Sequence, residues 1–503
     1  MKQHEIFTDI LIVGAGFGGL GMGIQLKRQG TEDFLIIERA GDVGGTWRDN
    51  HYPGAACDVP SHLYSFSFRL NPNWSQAFSP GHEIQQYMRD CAREEGLLEH
   101  LRFHTTMTDA RWCEAQQQWR VQTSQGLYVC RVLIACPGHL ADEHLPEIDG
   151  LADFEGEVFH SARWNHAADL QGKRIGVVGS GASAIQVVPE MAKVASELVV
   201  FQRSAPYIIP RANRAFTEGE KRAFGRMPGL MEKMRAETFW GGEFNFAQRR
   251  NIARFVNEAR GMALAHLHTQ VSDATLRAAL TPQYEIGCKR VLISNEYFPT
   301  FLQKHVRLEA SALAKVEGRC AIAASGARYA LDVLVCATGF EATRPPFAKL
   351  IHGRDGISLD AHWSRGMQAF DSIAVSGYPN LFIINGPNTG LGHNSVVYII
   401  EAQVDYILGA LAYARQQQLA TLEVDAGAEE RYMSALDERA QGSVWLAGGC
   451  KSWYVDERSR RLTLVWPDFA YAFREANGHF HREGYVVRKA PAPLAQAAET
   501  MEA

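Results

Sequence analysis

Short apolar runs that stop at a glycine recur along the chain. Ile10-Leu-Ile-Val runs into Gly14-Ala-Gly16-Phe17-Gly-Gly19, helical character follows to about Gly30, and a second apolar run, Phe34-Leu-Ile-Ile, ends on Glu38. Apolar runs without alternation are the pattern of strands buried on both faces, so strand, helix and strand in this order predict a parallel βαβ unit. The pattern returns at Arg174-Ile-Gly-Val-Val-Gly179-Ser-Gly181-Ala182-Ser183-Ala184, followed by a helical stretch and the run Leu198-Val-Val-Phe-Gln-Arg203. Two more apolar strands, Val132-Leu-Ile-Ala-Cys-Pro-Gly138 and Asp332-Val-Leu-Val-Cys-Ala-Thr-Gly-Phe340, also end at a glycine, one after each unit.

The glycines carry chemistry as well as turns. Gly-x-Gly-x-x-Gly between a strand and a helix lets the backbone approach a pyrophosphate at the helix N-terminus, and an acid ending the next strand accepts hydrogen bonds from a ribose. Gly14, Gly16, Gly19 and Glu38 meet that description. In the second unit Ala184 replaces the third glycine, and Arg203, beside Ser204, stands at the position that Glu38 holds in the first. A guanidinium suits a 2′-phosphate where a carboxylate suits a free hydroxyl, so the second site is expected to take NADP. Two sites of opposite preference imply hydride passing from a nicotinamide to a flavin, which assigns FAD to the first. The predicted fold is α/β, with two Rossmann-like dinucleotide-binding domains. Residues 1–145 and 341–503 are expected to form the FAD-binding domain, 146–210 and 285–340 the NADP-binding domain, and 211–284, which turn charged and helical, an insertion in the latter.

Three segments interrupt this pattern. Residues 44–68, rich in glycine, proline and aromatics, cannot form a long helix. Their length and their place after Glu38 predict a loop wrapped over the flavin, with Trp47 and Tyr52 as core plugs the plainer alternative. Residues 385–395 form a second glycine-rich loop, ahead of an apolar helical run to Leu408, and are expected to cap the flavin or line a substrate pocket. Residues 154–165, Phe-Glu-Gly-Glu-Val-Phe-His-Ser-Ala-Arg-Trp-Asn, fit neither a clean helix nor a clean strand and sit where the chain crosses from the first unit to the second. From Arg488 onward the chain reads as a tail.

Composition narrows the function classes. With 503 residues, 46% of them hydrophobic and 21% charged, and a formal net charge of −5, the chain is long enough for several cores and has no basic run, so neither nucleic acid nor a membrane is expected as a partner. Nine scattered cysteines without a Cys-x-x-Cys pair predict reduced thiols, no metal site and no pyridine-nucleotide disulfide reductase. No secretory leader is read at the N-terminus and no apolar run is read as a membrane span, so a cytoplasmic location is expected.

Taken together the motifs resemble those of flavin-dependent Baeyer-Villiger monooxygenases of the single-chain, FAD- and NADPH-dependent type. Two glycine motifs flank the family's Phe-x-Gly-x-x-x-His-x-x-x-Trp fingerprint, matched at Phe154, Gly156, His160 and Trp164, with Asn165 where the family usually has Pro or Asp. Residues 44–58 match the companion pattern Gly-Gly-x-Trp-x-x-x-x-Tyr-Pro-Gly-x-x-x-Asp at every specified position, and Ala337-Thr-Gly-Phe340 resembles a strand-end motif of related flavin monooxygenases.

The resemblance implies conversion of a ketone to an ester or lactone with NADPH and O2, through a flavin peroxide stabilised by an arginine. It assigns that role to Arg290 and its orientation to Asp58. It implies FAD contacts at Gly45, Thr46, Trp47, Asp58, Tyr64, Phe17 and the backbone near Met107. For NADP it implies Ala56, Cys57, Asp58, Arg290, Lys289 beside Arg203 and Ser204, and Trp453, which is equally compatible with a core position. His160 and Trp164 are expected to couple domain movement rather than transfer protons. An N- or S-oxygenating flavin monooxygenase, whose fingerprint generally lacks Trp164, is the first alternative; a non-oxygenating FAD/NADP redox protein is the second. The ketone and the oligomeric state are not readable at this stage.

Overall fold

The structure, a computed structural model, describes residues 5–489. The first apolar run forms the strand Glu5–Val13 inside an eight-stranded sheet. It pairs in parallel with Phe34–Ile37 on one side and Gly126–Ala135 on the other. Leu381–Ile383 joins Gly126–Ala135 in parallel, while Gln118–Thr123 and Met107–Cys113 extend the sheet as antiparallel strands. The helix Phe17–Arg28 leaves the first glycine motif and packs against the long helix Val396–Gln416, which brings the last third of the chain back onto the first unit.

The second unit is a five-stranded, wholly parallel sheet in the order Val306–Glu309, Glu197–Phe201, Arg174–Val178, Val333–Cys336, Glu157–His160. The same contact organises both units. Gly14 has φ 104°, and a Cβ there would lie 2.6 Å from the carbonyl oxygen of Cys136; Gly179 has φ 122°, and its Cβ would lie 2.4 Å from that of Ala337. Only glycine tolerates both the backbone angle and the close approach. Each glycine strand is therefore pressed against the apolar strand that ends in the matching position, which is why four such runs recur in two pairs. The molecule is α/β with two Rossmann-like units.

Between these strands the charged segment folds into the helices Glu218–Arg226, Pro228–Phe244, Phe246–Arg249, Ala253–Gln270 and Ala274–Ala279. Its entry and exit are stitched together, because Ile208–Ile209 pairs in parallel with Leu292–Ile293. Pro228–Phe244 is no solvated rod. Arg235 donates from Nη1 to the carbonyls of His62, Leu63 and Ser65 at 3.0, 3.1 and 2.8 Å, so this helix grips the loop that follows the first glycine motif.

Three expectations are corrected. The nine cysteines do not all stay reduced: seven are free, but Cys288 and Cys450 form a disulfide across 162 positions. Their approach comes from tertiary structure, with the Glu285 amide donating to the Gly448 carbonyl at 2.9 Å, and no local spacing announces it. Val396–Gln416 does have the length and composition of a membrane span; 67% of its most apolar window is buried in the protein, as in a core helix. Finally, Arg488 and Lys489 close the strand Tyr485–Lys489, paired with Leu419–Val424, and the remainder of the expected tail lies outside the described residues.

Candidate active site

Asp58 and Arg290 meet in a bidentate pair. Arg290 donates from Nε to one carboxylate oxygen at 2.6 Å and from Nη2 to the other at 2.8 Å, the geometry that fits a guanidinium fork to a carboxylate. Both side chains are about a third exposed or less. Burial works against the Asp58 charge, but the Arg290 guanidinium outweighs it and holds the carboxyl below its ordinary range. The Asp58 charge in turn raises Arg290 above the usual arginine value against the cost of burial, so this cation is fixed.

The loop that carries Asp58 is clamped from both units. Cys57 donates its amide to Ser79 at 2.9 Å, and the Cys57 carbonyl accepts from Arg211 Nη2 at 3.2 Å. Gln186, on the helix Ala184–Ala192 that follows the second glycine motif, donates to the Ala56 carbonyl at 2.9 Å and accepts from the Tyr52 hydroxyl at 2.9 Å. Ala56, Cys57 and Asp58 therefore sit at the seam between the two nucleotide units. The Cys57 thiol is buried, which pushes its pKa up and makes it inert.

On the first-unit side, Gly16 and Gly45 face each other so closely that a Cβ on Gly45 would lie 3.2 Å from the Gly16 Cα. This bare cradle fits the backbone approach a dinucleotide needs. Glu38 is buried and anchors it: its carboxylate accepts from the amides of Ala15 and Ala40, each at 2.9 Å, and pairs with Arg48 at 2.9 Å. Phe17 meets Tyr64 edge-on at 5.4 Å, and Trp47 donates its indole N–H to the Tyr64 hydroxyl at 3.1 Å. Thr46 reaches the Leu140 carbonyl at 3.5 Å, and buried Met107 opens a strand of the same sheet. These residues fit FAD.

On the second-unit side, Gly181 leaves open space where a Cβ would be, and Ala182 and Ser183 lead from it into the helix that begins at Ala184. Lys289 donates from Nζ to the Ser204 hydroxyl at 2.8 Å and shares with Arg203 a cavity of about 450 Å³ that no carboxylate lines. Burial, with the nearby Arg203 charge, lowers the Lys289 pKa. Cations gathered without an acid fit the phosphate of NADP. Trp453 is 42% exposed, which rules out a core position.

The fingerprint lies at the edge of the second sheet. Glu157–His160 is an edge strand whose His160 is paired with Cys336, just ahead of Ala337-Thr-Gly-Phe340. A Cβ on Gly156 would meet the Asp332 carbonyl at 2.2 Å, beside the buried Phe154 ring. Burial lowers the His160 pKa to about 4, so its ring is neutral near pH 7, and its Nδ1 accepts the Ala162 amide at 3.1 Å. Trp164 packs edge-on against Phe159 in the same apolar cluster as Tyr52 of the Asp58 loop. Asn165 closes the turn itself, accepting the Ala167 amide at 3.0 Å.

Several neighbours gave no sequence signal. Gln186 and Arg211 are ordinary residues until the fold places them. Arg249, in the insertion, is buried, donates to the Gly392 carbonyl at 2.6 Å and has no carboxylate within ion-pair distance among the described residues. Burial and then the Arg290 charge lower its pKa to about 10. Tyr454 is buried, and the charges of Arg290 and Arg249 offset part of the rise that burial imposes on its hydroxyl.

Known proteins resemble this chain in sequence and in fold. Residues 8–351 match the family described as flavin-binding monooxygenase-like. A Baeyer-Villiger monooxygenase of Pseudomonas aeruginosa is 40% identical, over 96% of this chain and 92% of that protein, and one of Streptomyces coelicolor is 40% identical over 99% and 97%. Among solved structures, a cyclohexanone monooxygenase from Rhodococcus sp. Phi1 bound to NADP+ superposes with a TM-score of 0.86 at 25% identity, over 97% of this chain and all of that one. An oxidised steroid monooxygenase bound to NADP gives 0.85 at 28% identity, over 96% and 100%. The chain belongs to the flavin-binding monooxygenase-like family and is a flavin-dependent monooxygenase of the Baeyer-Villiger kind.

Proposed function

We propose that the chain converts a ketone to an ester or lactone with NADPH and O2, and that Arg290 and Asp58 are its central charged residues. The single observation that carries these roles is the bidentate Asp58 and Arg290 pair at the seam of the two units. When bound, NADPH supplies hydride and FAD supplies the redox chemistry with dioxygen. Gly14, Gly16, Gly19, Glu38, Gly45, Thr46, Trp47, Tyr64, Phe17 and Met107 would hold the flavin nucleotide. Gly179, Gly181, Ala182, Ser183, Ala184, Arg203, Ser204 and Lys289 would hold the nicotinamide nucleotide, with Ala56, Cys57 and Asp58 near its nicotinamide, Arg290 beside them, and Trp453 folded over it. Residues 1–145 and 341–503 serve the first nucleotide, 146–210 and 285–340 the second, and 211–284 border the ketone's entrance.

Arg290 keeps a permanent positive charge where negative charge develops on oxygen, and Asp58 holds its fork in one orientation without a proton to lose near neutral pH. A preorganised donor of this type is worth about 3 kcal/mol, or 100-fold to 1000-fold in rate. We therefore expect Arg290→Ala to lower ester formation by at least about 100-fold while FAD stays bound. The test is NADPH consumption with cyclic, linear and aromatic ketones and thioethers, with products identified by mass. Ester or lactone from a ketone supports the proposal; sulfoxides and hydrogen peroxide alone overturn it. We also place the chain in the cytoplasm, where seven free thiols are at home and the single Cys288–Cys450 bridge is open to reduction.

A further inference from the structure

We infer that Lys451, braced by the Cys288–Cys450 disulfide, is a third cation of the NADP 2′-phosphate site, and that the oxidation state of this disulfide sets how strongly the site prefers a 2′-phosphate. The inference rests on the assignment of NADP to the cavity lined by Arg203, Ser204 and Lys289.

Three separate stretches of chain build that cavity. Arg203 and Ser204 lie just past the strand Glu197–Phe201, Tyr284 and Lys289 at the exit of the insertion, and Cys450 and Lys451 in the loop after the short helix Val444–Ala447. Lys289 is fixed twice, by the Ser204 hydroxyl at 2.8 Å and by the Tyr284 ring, whose centroid lies 5.0 Å from its ammonium. Lys451 is exposed and has no ion-pair partner among the described residues, although it faces the same cavity.

The disulfide explains why it is there. Cys288 immediately precedes Lys289, and Cys450 immediately precedes Lys451, so one covalent bond ties together the two backbone segments whose ammonium-bearing residues line the same cavity as Arg203. Three cations with no lining carboxylate repel one another, an arrangement that an anion of about −1.5 to −2 charges, such as a phosphate monoester, relieves. Apart from the disulfide, this loop is tied to the Lys289 segment by the Glu285 amide on the Gly448 carbonyl. Opening the bridge frees Lys451 to withdraw into water. A dithiol does so by transferring two electrons and two protons: the S–S bond breaks to two thiols while the dithiol closes to its own disulfide. Cys288 is buried and Cys450 lines the cavity, so the bridge itself borders the space a ligand would fill. Linkage then requires that whatever the bridge adds to nucleotide affinity, bound nucleotide adds to the bridge's resistance to reduction at equilibrium.

The test titrates 2′,5′-ADP and 5′-AMP calorimetrically into the FAD-loaded enzyme, which isolates the phosphate contact from turnover. In the oxidised wild type 2′,5′-ADP should bind the tighter. Lys451→Ala should weaken 2′,5′-ADP about 3-fold to 5-fold, as expected for an exposed charge pair, and leave 5′-AMP unchanged, with Lys451→Arg restoring the preference. Cys450→Ser, or treatment of the wild type with dithiothreitol, should shift 2′,5′-ADP in the same direction. If the wild type binds both nucleotides equally, the assignment of NADP to this cavity falls and the inference with it. If the wild type discriminates and Lys451→Ala discriminates as well, the inference alone is overturned. If Lys451→Ala acts but neither Cys450→Ser nor reduction does, the redox dependence is overturned.

Discussion

Asp58 and Arg290 stand 232 positions apart and share two hydrogen bonds. Nothing in the spacing of either residue predicts the contact; the family resemblance supplied the expectation, whereas Glu38 and Arg203 are legible from their own places at the ends of matching strands. The difference is physical. A strand followed by a glycine turn fixes where the next strand's last side chain goes, but a contact between two units depends on how they dock. The pair has a pH signature. Asp58 titrates lower in the folded protein than a free aspartate, whose value is about 3.9, so its ion pair contributes fully above that value and is lost as pH falls through the lower folded one. The difference in unfolding free energy between wild type and Asp58→Asn should therefore be flat from about pH 5 to 8 and shrink below about pH 4. Urea titrations across that range would detect it, and a difference that grows on acidification would contradict it.

The elements tell a similar story at longer range. The strands, the glycine turns and the helices that follow them were readable from apolar runs alone, because each depends on neighbours within a few residues. The loop of residues 44–68 was readable as irregular chain but not as a clamped one. Its position depends on Gln186, whose amide joins the Ala56 carbonyl to the Tyr52 hydroxyl across the seam. Gln186→Leu keeps most of the volume and removes both bonds, together with a longer one from the Ala56 amide to Gln186 Oε1 at 3.4 Å. Leaving the buried Tyr52 hydroxyl and the Ala56 carbonyl without partners costs about 1 to 3 kcal/mol, so the urea midpoint should fall with an unchanged slope. An unaltered midpoint would mean that the loop is held by its other contacts.

At the scale of the whole molecule, the insertion and the long helix Val396–Gln416 bind what the two sheets leave apart. Arg235 reaches from the insertion to three loop carbonyls and lies 3.8 Å from Glu401, whose carboxyl burial pushes upward and Arg235 pulls back. Arg235→Met leaves that carboxylate with the Ser67 amide and with Arg474 at 4.0 Å, so the loss should fall at or below the low end, about 3 kcal/mol, of the cost of removing one partner of a buried pair. Adding Glu401→Gln should recover part of the loss, which a double-mutant cycle in denaturant would measure; strict additivity would mean that the two side chains are not coupled. Such contacts are invisible in the sequence because a charged helical segment looks the same whether it faces water or a neighbouring loop.

The clamp by Gln186 also limits how relatives can be recombined. The glycine motifs suggest interchangeable modules, each with its own nucleotide, yet Ala56 to Asp58 are held by side chains from the other unit. A chimaera that exchanged residues 146–340 for those of a distant homologue would preserve both sheet cores and lose the fit at their seam. Grafted nucleotide preference should therefore be sought by point substitutions around Arg203, with the parental seam kept whole.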